Sequence, residues 1–240
     1  MTWVKICGMT NLEDALVAVD AGADAVGFVF YEKSPRCVTV ETAREICEKL
    51  PEGVEKIGVF VGSKTHQAKV LLEAQLTGMQ CYLVHGGSAS GNDAIGRDAL
   101  PPGFRQLLAF PIKLFSEPQN QIPAMVEEFA ESMRSLPVPP PENLLDTFLL
   151  DSGNAQQPGG TGRTFDWRTA GPISETMRRH GLKLVVAGGL RPDNVGEAIS
   201  ALKPWGVDVV SGVEASPGKK DPEKVRAFVR AVRECDRKVG

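Results

Sequence analysis

The chain has 240 residues, 42% of them hydrophobic and 24% charged, with a formal net charge of −3. That length fits one α/β barrel of about 250 residues as well as two smaller domains. No run of Lys or Arg exceeds two residues, which argues against nucleic acid or an anionic membrane as partner. Because no apolar run approaches the roughly 18 residues of a membrane span, we expect a cytoplasmic protein without a membrane partner.

The cysteines and histidines show no ligand pattern. An odd, scattered set of cysteines without a C-x-x-C pair fits a reducing compartment better than a disulfide framework; the set is Cys7, Cys37, Cys47, Cys81 and Cys235. The three histidines lie far from one another and from any cysteine cluster. We therefore expect no metal site.

Strands and helices alternate through the first third of the chain, with glycines between them. A nearly continuous apolar segment predicts a strand buried on both faces at residues 25–30, and further strands are predicted at 4–7, 56–61 and 80–84. Apolar residues at helical spacing predict helices at 11–21, with Asn11 as N-cap, at 40–50 and at 66–74. Each strand and the helix after it form one unit of a parallel sheet.

The middle of the chain is less regular, and the last third returns to clear alternation. We predict a short helix near Ala94, a stiff proline-rich connection at 137–141, and a final helix with Pro222 in its first turn. Further strands are predicted at 107–111, 144–151, 184–187 and 207–210, with helices at 124–135, before His180 and after Asn194. Eight strands and about eight helices predict a single (β/α)8 TIM barrel covering residues 1–240.

Cys7 lies at the carboxyl end of the first strand, where barrels of this type carry their chemistry. A buried, inert thiol is the ordinary alternative, because cysteine is among the most buried residue types. Period-two alternation directs Lys5 to the same inner face, lower in the barrel. Lys5 then needs a partner, and both Asp24 and Asp208 lie close enough in the predicted strand order.

Three further features predict a site at the same end of the barrel. Asp151 precedes a glycine-rich loop and so stands at the barrel mouth, whereas Asp146 precedes the strand; Asp151 and Cys7 would offer an acid and a base. Arg36 has a planar fork suited to a carboxylate or phosphate, although a lone arginine is more often solvated. The turns Gly188-Gly189 and Ser211-Gly212 follow adjacent strands, and this pairing favours a phosphate site.

Several motifs together closely resemble the phosphoribosylanthranilate isomerase family of tryptophan biosynthesis, from Val4 to about Val232. They are Lys5 to Thr10, Gly27 to Phe30 with Ser34-Pro35-Arg36, Leu149-Leu150-Asp151 with Gly159 to Trp167, Ala187 to Leu190 with Asn194, and Asp208 to Glu214 with Pro217 to Lys220. The resemblance departs from the family at the fourth strand, where Leu83 replaces a usual glutamine, and at the proline-rich stretch around Pro139. Arg163 and Val210 replace a usual lysine and serine.

The resemblance implies a cofactor-free Amadori rearrangement, in which an aminoaldose phosphosugar becomes an aminoketose. Asp151 would be the general acid on the furanose ring oxygen, and Cys7, as a thiolate, the base that takes the proton from the sugar C2. Arg36 would bind the anthranilate carboxylate, and the two glycine turns the phosphate. His85 and Asp208 match family positions near the ligand.

Two other functions remain open from the sequence. One is the related phosphosugar isomerase of histidine biosynthesis or a dual-specificity enzyme, which normally has an aspartate where Cys7 stands. The other is a non-catalytic barrel that binds a phosphorylated ligand, which would need Gly189 and Ser211 but neither Cys7 nor Asp151. The sequence leaves open whether the protein is a monomer or homodimer and whether the loop at 152–158 closes over substrate.

Overall fold

The computed structural model describes residues 1–61, 67–82, 100, 103–112, 117–135, 146–153 and 165–239. Eight parallel strands follow one another around a closed barrel, and β8 pairs with β1 to close it. The strands are β1 (Trp3–Cys7), β2 (Ala25–Phe30), β3 (Glu55–Phe60), β4 (Gly78–Tyr82), β5 (Arg105–Pro111), β6 (Thr147–Asp151), β7 (Lys183–Val186) and β8 (Gly206–Val209). This confirms the predicted (β/α)8 fold.

Helices cover the outside of the barrel. Within the described ranges they are α1 (Leu12–Asp20), α2 (Val40–Cys47), α3 (Gln67–Glu73), α4 (Pro118–Arg134), α5 (Gly171–Arg179), α6 (Val195–Leu202) and α7 (Pro222–Val239). Asn11 caps α1 as predicted, because its side chain accepts a hydrogen bond from the Asp14 N–H at 2.9 Å. The short helix predicted near Ala94 and the proline-rich connection at 137–141 lie outside the described residues.

Several predicted boundaries were wrong by two residues or more, among them those of α4 and β4. Helix α4 begins at Pro118, well before the predicted start at residue 124, and it contains Pro123. The first proline occupies the first turn, where no N–H is needed, and the second removes only one hydrogen bond within the helix. Strand β4 begins at Gly78, earlier than the predicted residue 80, and it is described as far as Tyr82.

The hydrophobic core has two layers. Outward-facing strand residues such as Val4 and Ile6 pack against the helices. A smaller cluster fills the barrel itself; its members are Trp3, Ala25, Ile57, Leu107, Ala109, Leu149, Val185 and Ala187. At the amino-terminal end, Trp3 stacks on Trp205 with ring centroids 5.1 Å apart. The polar residues Lys5 and Cys7 therefore lie above an apolar floor, towards the carboxyl ends of the strands.

A short hairpin follows β8 and returns the chain to the barrel mouth. A 3-10 turn over Ser211–Val213 leads into β9 (Glu214–Ser216), which pairs antiparallel with β10 (Lys219–Lys220) before α7 begins. The hairpin brings the side chains of Glu214 and Lys220 next to the end of β1. In the parts of the chain that the structure describes, no helix is both long and apolar enough to span a membrane.

Candidate active site

Cys7 is the last residue of β1, and it is 3% exposed at the inner face of the barrel mouth. Burial raises the pKa of its thiol above the ordinary value, because a thiolate loses hydration there. The positive charges of Lys5 and Lys220 act against this rise, and the carboxylate of Asp208 adds to it. The thiol is thus protonated at neutral pH unless further positive charge or a proton acceptor reaches it.

Lys5 lies below Cys7, fully buried. Its Nζ donates to Asp208 Oδ2 at 3.0 Å and to Gln80 Oε1 at 2.8 Å. Of the two partners that the sequence left open, the structure selects Asp208. Asp24 instead accepts a hydrogen bond from the Val4 N–H and pairs with Arg233. Burial lowers the pKa of Lys5, but attraction to Asp208 and Cys7 outweighs it, so the pKa is raised and the ammonium form persists.

Asp151 ends β6 and reaches the same end of the barrel from a different strand. Its Oδ1 accepts a hydrogen bond from the Gly153 N–H at 2.8 Å, and its Oδ2 accepts one from the Tyr82 hydroxyl at 3.1 Å. Burial is the main reason that the pKa of Asp151 is raised to about 7. A carboxyl group with this pKa carries a proton in a large fraction of molecules at neutral pH. Asp146, the rejected candidate, precedes the strand and pairs with Lys183 at 2.7 Å.

The glycine turns after β7 and β8 line one small cavity. Its walls are Asp151, Ala187, Gly188, Gly189, Leu190, Asp208, Val209, Val210, Ser211 and Gly212. Gly188 and Gly189 have φ of +84° and +65°, which favours glycine there. The Asn194 side chain donates to the Gly189 carbonyl at 3.0 Å and accepts from the Arg191 N–H at 2.7 Å, which fixes this turn. The two turns proposed to bind phosphate therefore line the same cavity as the carboxylates of Asp151 and Asp208.

Gly212 is required for the two turns to meet. A Cβ at this position would overlap the carbonyl oxygen of Leu190, which belongs to the loop after β7. Backbone oxygens cannot move aside as the end of a flexible side chain can. The predicted pairing of the Gly188-Gly189 and Ser211-Gly212 turns is thus a direct backbone contact in the structure.

Arg36 lies in the loop after β2, and the structure gives it a partner that the sequence did not predict. Its Nε and Nη2 donate to the two carboxylate oxygens of Glu214 at 2.8 and 2.7 Å. These hydrogen bonds are the largest cause of the raised pKa of Arg36. Glu214 therefore already binds two of the nitrogens expected to bind a ligand carboxylate, and among the described residues Nη1 is left for that purpose.

Lys220 joins this pair to the end of β1. Its buried Nζ donates to the Cys7 carbonyl at 2.6 Å, to the Val210 carbonyl at 3.1 Å and to Glu214 Oε1 at 3.2 Å. Burial is the main reason that the pKa of Lys220 is lowered. Two cations thus share one carboxylate beside the thiol, which leaves a net positive charge near Cys7.

Sequence reasoning missed four residues of this site, namely Gln80, Tyr82, Glu214 and Lys220. Gln80 and Tyr82 alternate on β4 and share its inner face; both lay within the predicted strand at 80–84, so this alternation was a signal that the sequence already contained. His85, Leu83, Arg163 and the glycine-rich segment at 159–162 lie outside the described residues. Among the residues that can be described, no group of His, Cys, Asp and Glu side chains is arranged to hold a metal ion.

The fold and the site together indicate the class of protein to which this chain belongs. A (β/α)8 barrel with a buried thiol, a carboxyl group of raised pKa and glycine turns, all at the carboxyl ends of its strands, has the architecture of the barrel enzymes.

Comparison with known proteins identifies the family within that class. The family described as N-(5'-phosphoribosyl)anthranilate (PRA) isomerase matches residues 4–99 and 130–231. The chain is 41% identical to the N-(5'-phosphoribosyl)anthranilate isomerase of Pelobacter propionicus, over 98% of this chain and 97% of that protein. It is 42% identical to that of Rubrobacter xylanophilus, over 97% of this chain and 100% of that one. The chain belongs to the phosphoribosylanthranilate isomerase family.

Solved structures agree with this assignment. The phosphoribosylanthranilate isomerase of Thermotoga maritima matches with a TM-score of 0.71 and 35% identity, covering 98% of this chain and all of that one. A phosphoribosylanthranilate isomerase solved in complex with reduced 1-(o-carboxyphenylamino)-1-deoxyribulose 5-phosphate matches with a TM-score of 0.69 and 34% identity, over 98% of this chain and 100% of that one. The family resemblance inferred from the motifs is confirmed.

Proposed function

We propose that this protein isomerises N-(5-phosphoribosyl)anthranilate to 1-(2-carboxyphenylamino)-1-deoxyribulose 5-phosphate in tryptophan biosynthesis, as a single-domain, cofactor-free enzyme of the cytoplasm. Membership of the isomerase family supports the reaction. The observation that carries the assignment of roles is the placement of Cys7 and Asp151. They end two different strands at the same mouth, and Asp151 also lines the cavity formed by the glycine turns.

Asp151 acts as the general acid. Its proton moves to the furanose ring oxygen, the bond between that oxygen and C1 breaks, and the nitrogen lone pair forms a protonated Schiff base at C1. A pKa of about 7 suits this step, because the group holds a proton near neutral pH and still releases it readily. The carboxylate that remains is stabilised by donors from Gly153 and Tyr82.

Cys7 acts as the general base in its ionised form, so the thiol proton must first leave to solvent. It takes the proton from C2; the electrons of the C–H bond form a double bond between C1 and C2, and those of the Schiff base return to nitrogen. The enolamine then tautomerises to the ketone. The cations Lys5 and Lys220 support the thiolate against the cost of burial, as their effect on the pKa of Cys7 indicates.

The remaining site residues bind the substrate. The turns at Gly188-Gly189 and Ser211-Gly212 offer backbone N–H groups to the phosphate. Arg36, held by Glu214, uses its free Nη1 for the anthranilate carboxylate. Asp208 Oδ1 is buried and lacks a hydrogen-bond partner among the described residues, so it suits a substrate hydroxyl. The role of His85 stays a prediction.

The decisive experiment separates chemistry from binding. Substrate is generated in situ, its anthranilate fluorescence is followed after enzyme is added, and Asp151→Asn is compared with Asp146→Asn. Loss of the acid should lower kcat by at least about 100-fold while a product analogue binds with little change. The Asp146 variant should retain turnover, because that carboxylate lies before β6 and pairs with Lys183. Equal loss of turnover and of analogue binding in Asp151→Asn would contradict the acid role.

A further inference from the structure

Three hydrogen bonds, one buried and two partly buried, form a row that crosses the barrel beneath the site and ends on the acid. Lys5 Nζ donates to Gln80 Oε1 at 2.8 Å. Gln80 Nε2 donates to the Tyr82 oxygen at 3.3 Å. The Tyr82 hydroxyl donates to Asp151 Oδ2 at 3.1 Å. Lys5 and Gln80 are 0% and 1% exposed, so water does not compete for the bond between them, whereas Tyr82 is partly exposed.

The direction of every bond in this row follows from its first member. An ammonium group can only donate, so the Gln80 atom that faces Lys5 must be the amide oxygen. The amide nitrogen then faces Tyr82, and the tyrosine oxygen must accept from it. The single hydroxyl hydrogen of Tyr82 is left to point at Asp151. Lys5 keeps its charge because it also pairs with Asp208 at 3.0 Å.

This direction constrains the proton of the acid. Both oxygens of Asp151 already face a donor, Tyr82 at Oδ2 and the Gly153 N–H at Oδ1. An acidic hydrogen on either oxygen would clash with those donors if it pointed towards them. It must therefore point elsewhere, and Asp151 lines the cavity between the two glycine turns.

We propose that Tyr82, oriented by Gln80 and Lys5, is a positioning residue that keeps the acidic hydrogen of Asp151 directed into the substrate cavity. The inference rests on the proposed role of Asp151 as general acid. Tyr82 also donates to the carboxylate that remains after proton transfer, so it favours the transfer itself. Burial and the nearby charge of Asp151 raise the pKa of Tyr82 well above its ordinary value, which keeps the hydroxyl protonated as a donor.

The charges around this contact set the expected pH effect. Among the described residues, Asp208 raises the pKa of Asp151 in addition to burial, whereas the Gly153 N–H, Tyr82 and Lys5 lower it. Asp208 and Cys7 also face Tyr82. Removing the Tyr82 hydroxyl takes away one group that stabilises the carboxylate, so the pKa of Asp151 should rise above its value of about 7.

The first test replaces Tyr82 by Phe, which removes one oxygen and keeps the ring. We expect kcat to fall roughly tenfold with KM changed by less than about twofold. In a 13C titration of the aspartate carboxyl groups, assigned with Asp151→Asn, the Asp151 midpoint should move up by about one pH unit. Tyr31→Phe, at the only other tyrosine, is the matched control. If Tyr82→Phe leaves both kcat and the midpoint unchanged, the proposal is wrong.

The second test reverses the direction of the hydrogen bonds between Gln80, Tyr82 and Asp151. In Gln80→Glu the carboxylate accepts from both Lys5 and Tyr82, so the Tyr82 oxygen would have to accept the proton of Asp151 and hold it away from the substrate. We expect a larger loss of kcat than in Tyr82→Phe, and recovery to the Tyr82→Phe level in the double variant. Additive losses in the double variant would contradict the proposal. The carboxyl titration detects the contact between Tyr82 and Asp151 even if Asp151→Asn shows that another group is the acid. Failure of the positioning role can therefore be distinguished from failure of the proposed acid role.

Discussion

Burial acts in the same direction on both groups proposed to move protons. It raises the pKa of Asp151 to about 7 and also raises the pKa of Cys7. For an acid this is an advantage, because the proton stays in place until the substrate needs it. For a base it is an obstacle, since the thiolate is the form that reacts. In the proposed mechanism, the neighbouring cations Lys5 and Lys220 offset part of this cost, because both lower the pKa of Cys7.

Replacing Cys7 by Ser tests the base. A hydroxyl group is a far weaker acid than a thiol, so the anionic form is lost at neutral pH while size and position are kept. We expect kcat to fall by about 100-fold to 10,000-fold, measured by the decay of anthranilate fluorescence. Cys37→Ser is the control, because Cys37 is an exposed thiol. Turnover near the normal rate in Cys7→Ser would exclude the thiolate as base.

Replacing Arg36 by Lys tests the carboxylate contact. A lysine cannot occupy both oxygens of Glu214 and still present a donor to a ligand, as the arginine fork can. We expect KM for phosphoribosylanthranilate to rise at least about tenfold, with a smaller change in kcat. The control is a product analogue with an unsubstituted phenyl ring. Its affinity should be low in both proteins, and an equal further loss in the variant would show that Arg36 does not bind the carboxylate.

At the scale of single residues, strand ends and motifs in the sequence predicted Cys7, Asp151 and Arg36 as site residues, but they did not predict the residues that pair with them. The partner of Lys5 stayed open because Asp24 and Asp208 both flank its strand, and only the register that places Lys5 opposite Asp208 decides between them. Glu214 pairs with a residue 178 positions away, through a hairpin whose path no local pattern fixes. Tyr82 lay inside the predicted strand at 80–84, but no motif marked it, and its contact with Asp151 joins residues 69 positions apart in the chain.

At the scale of elements, the sequence predicted most starts of strands and helices to within one or two residues, and α4 is the clear exception. Strand β2 has the predicted bounds because its apolar run is closed by polar residues on both sides. Helix α4 begins at Pro118, six residues before the predicted start at 124, and Pro123 lies inside its second turn. The turns after β7 and β8 were predicted from their glycines, but their mutual contact depends on how the two loops meet.

Gly212→Ala tests that contact. The added methyl group would collide with the Leu190 carbonyl, so the two turns must move apart. We expect the Kd of a reduced product analogue to rise at least about tenfold, measured by calorimetry, because the backbone donors no longer converge on one phosphate. Gly171→Ala is the matched control, since a Cβ there meets nothing within 4 Å. Unchanged affinity in Gly212→Ala would remove these turns from the phosphate site.

For the whole molecule, the two ends of the barrel have different tasks. The carboxyl ends of the strands hold the buried ionisable groups of the site, several of them with altered pKa values. The amino-terminal ends are closed by Arg105, whose guanidinium carbon lies 4.7 Å from the Trp205 ring centroid and 5.8 Å from that of Trp3. Arg105 also pairs with Glu55 at 2.7 Å and donates to Thr147 at 3.3 Å. We infer that this end serves stability alone.

Arg105→Met tests that division. The methionine keeps an apolar stem against the tryptophans but leaves Glu55 and Thr147 without their cation, so we expect unfolding in urea to require about 2–4 kcal/mol less free energy. The kcat should stay within about twofold, because the site lies at the opposite end of the strands. Arg226→Met is the control; Arg226 forms an exposed pair with Glu223, and its loss should cost less than about 0.5 kcal/mol. A fall in kcat under conditions where Arg105→Met remains folded would show that the two ends are coupled.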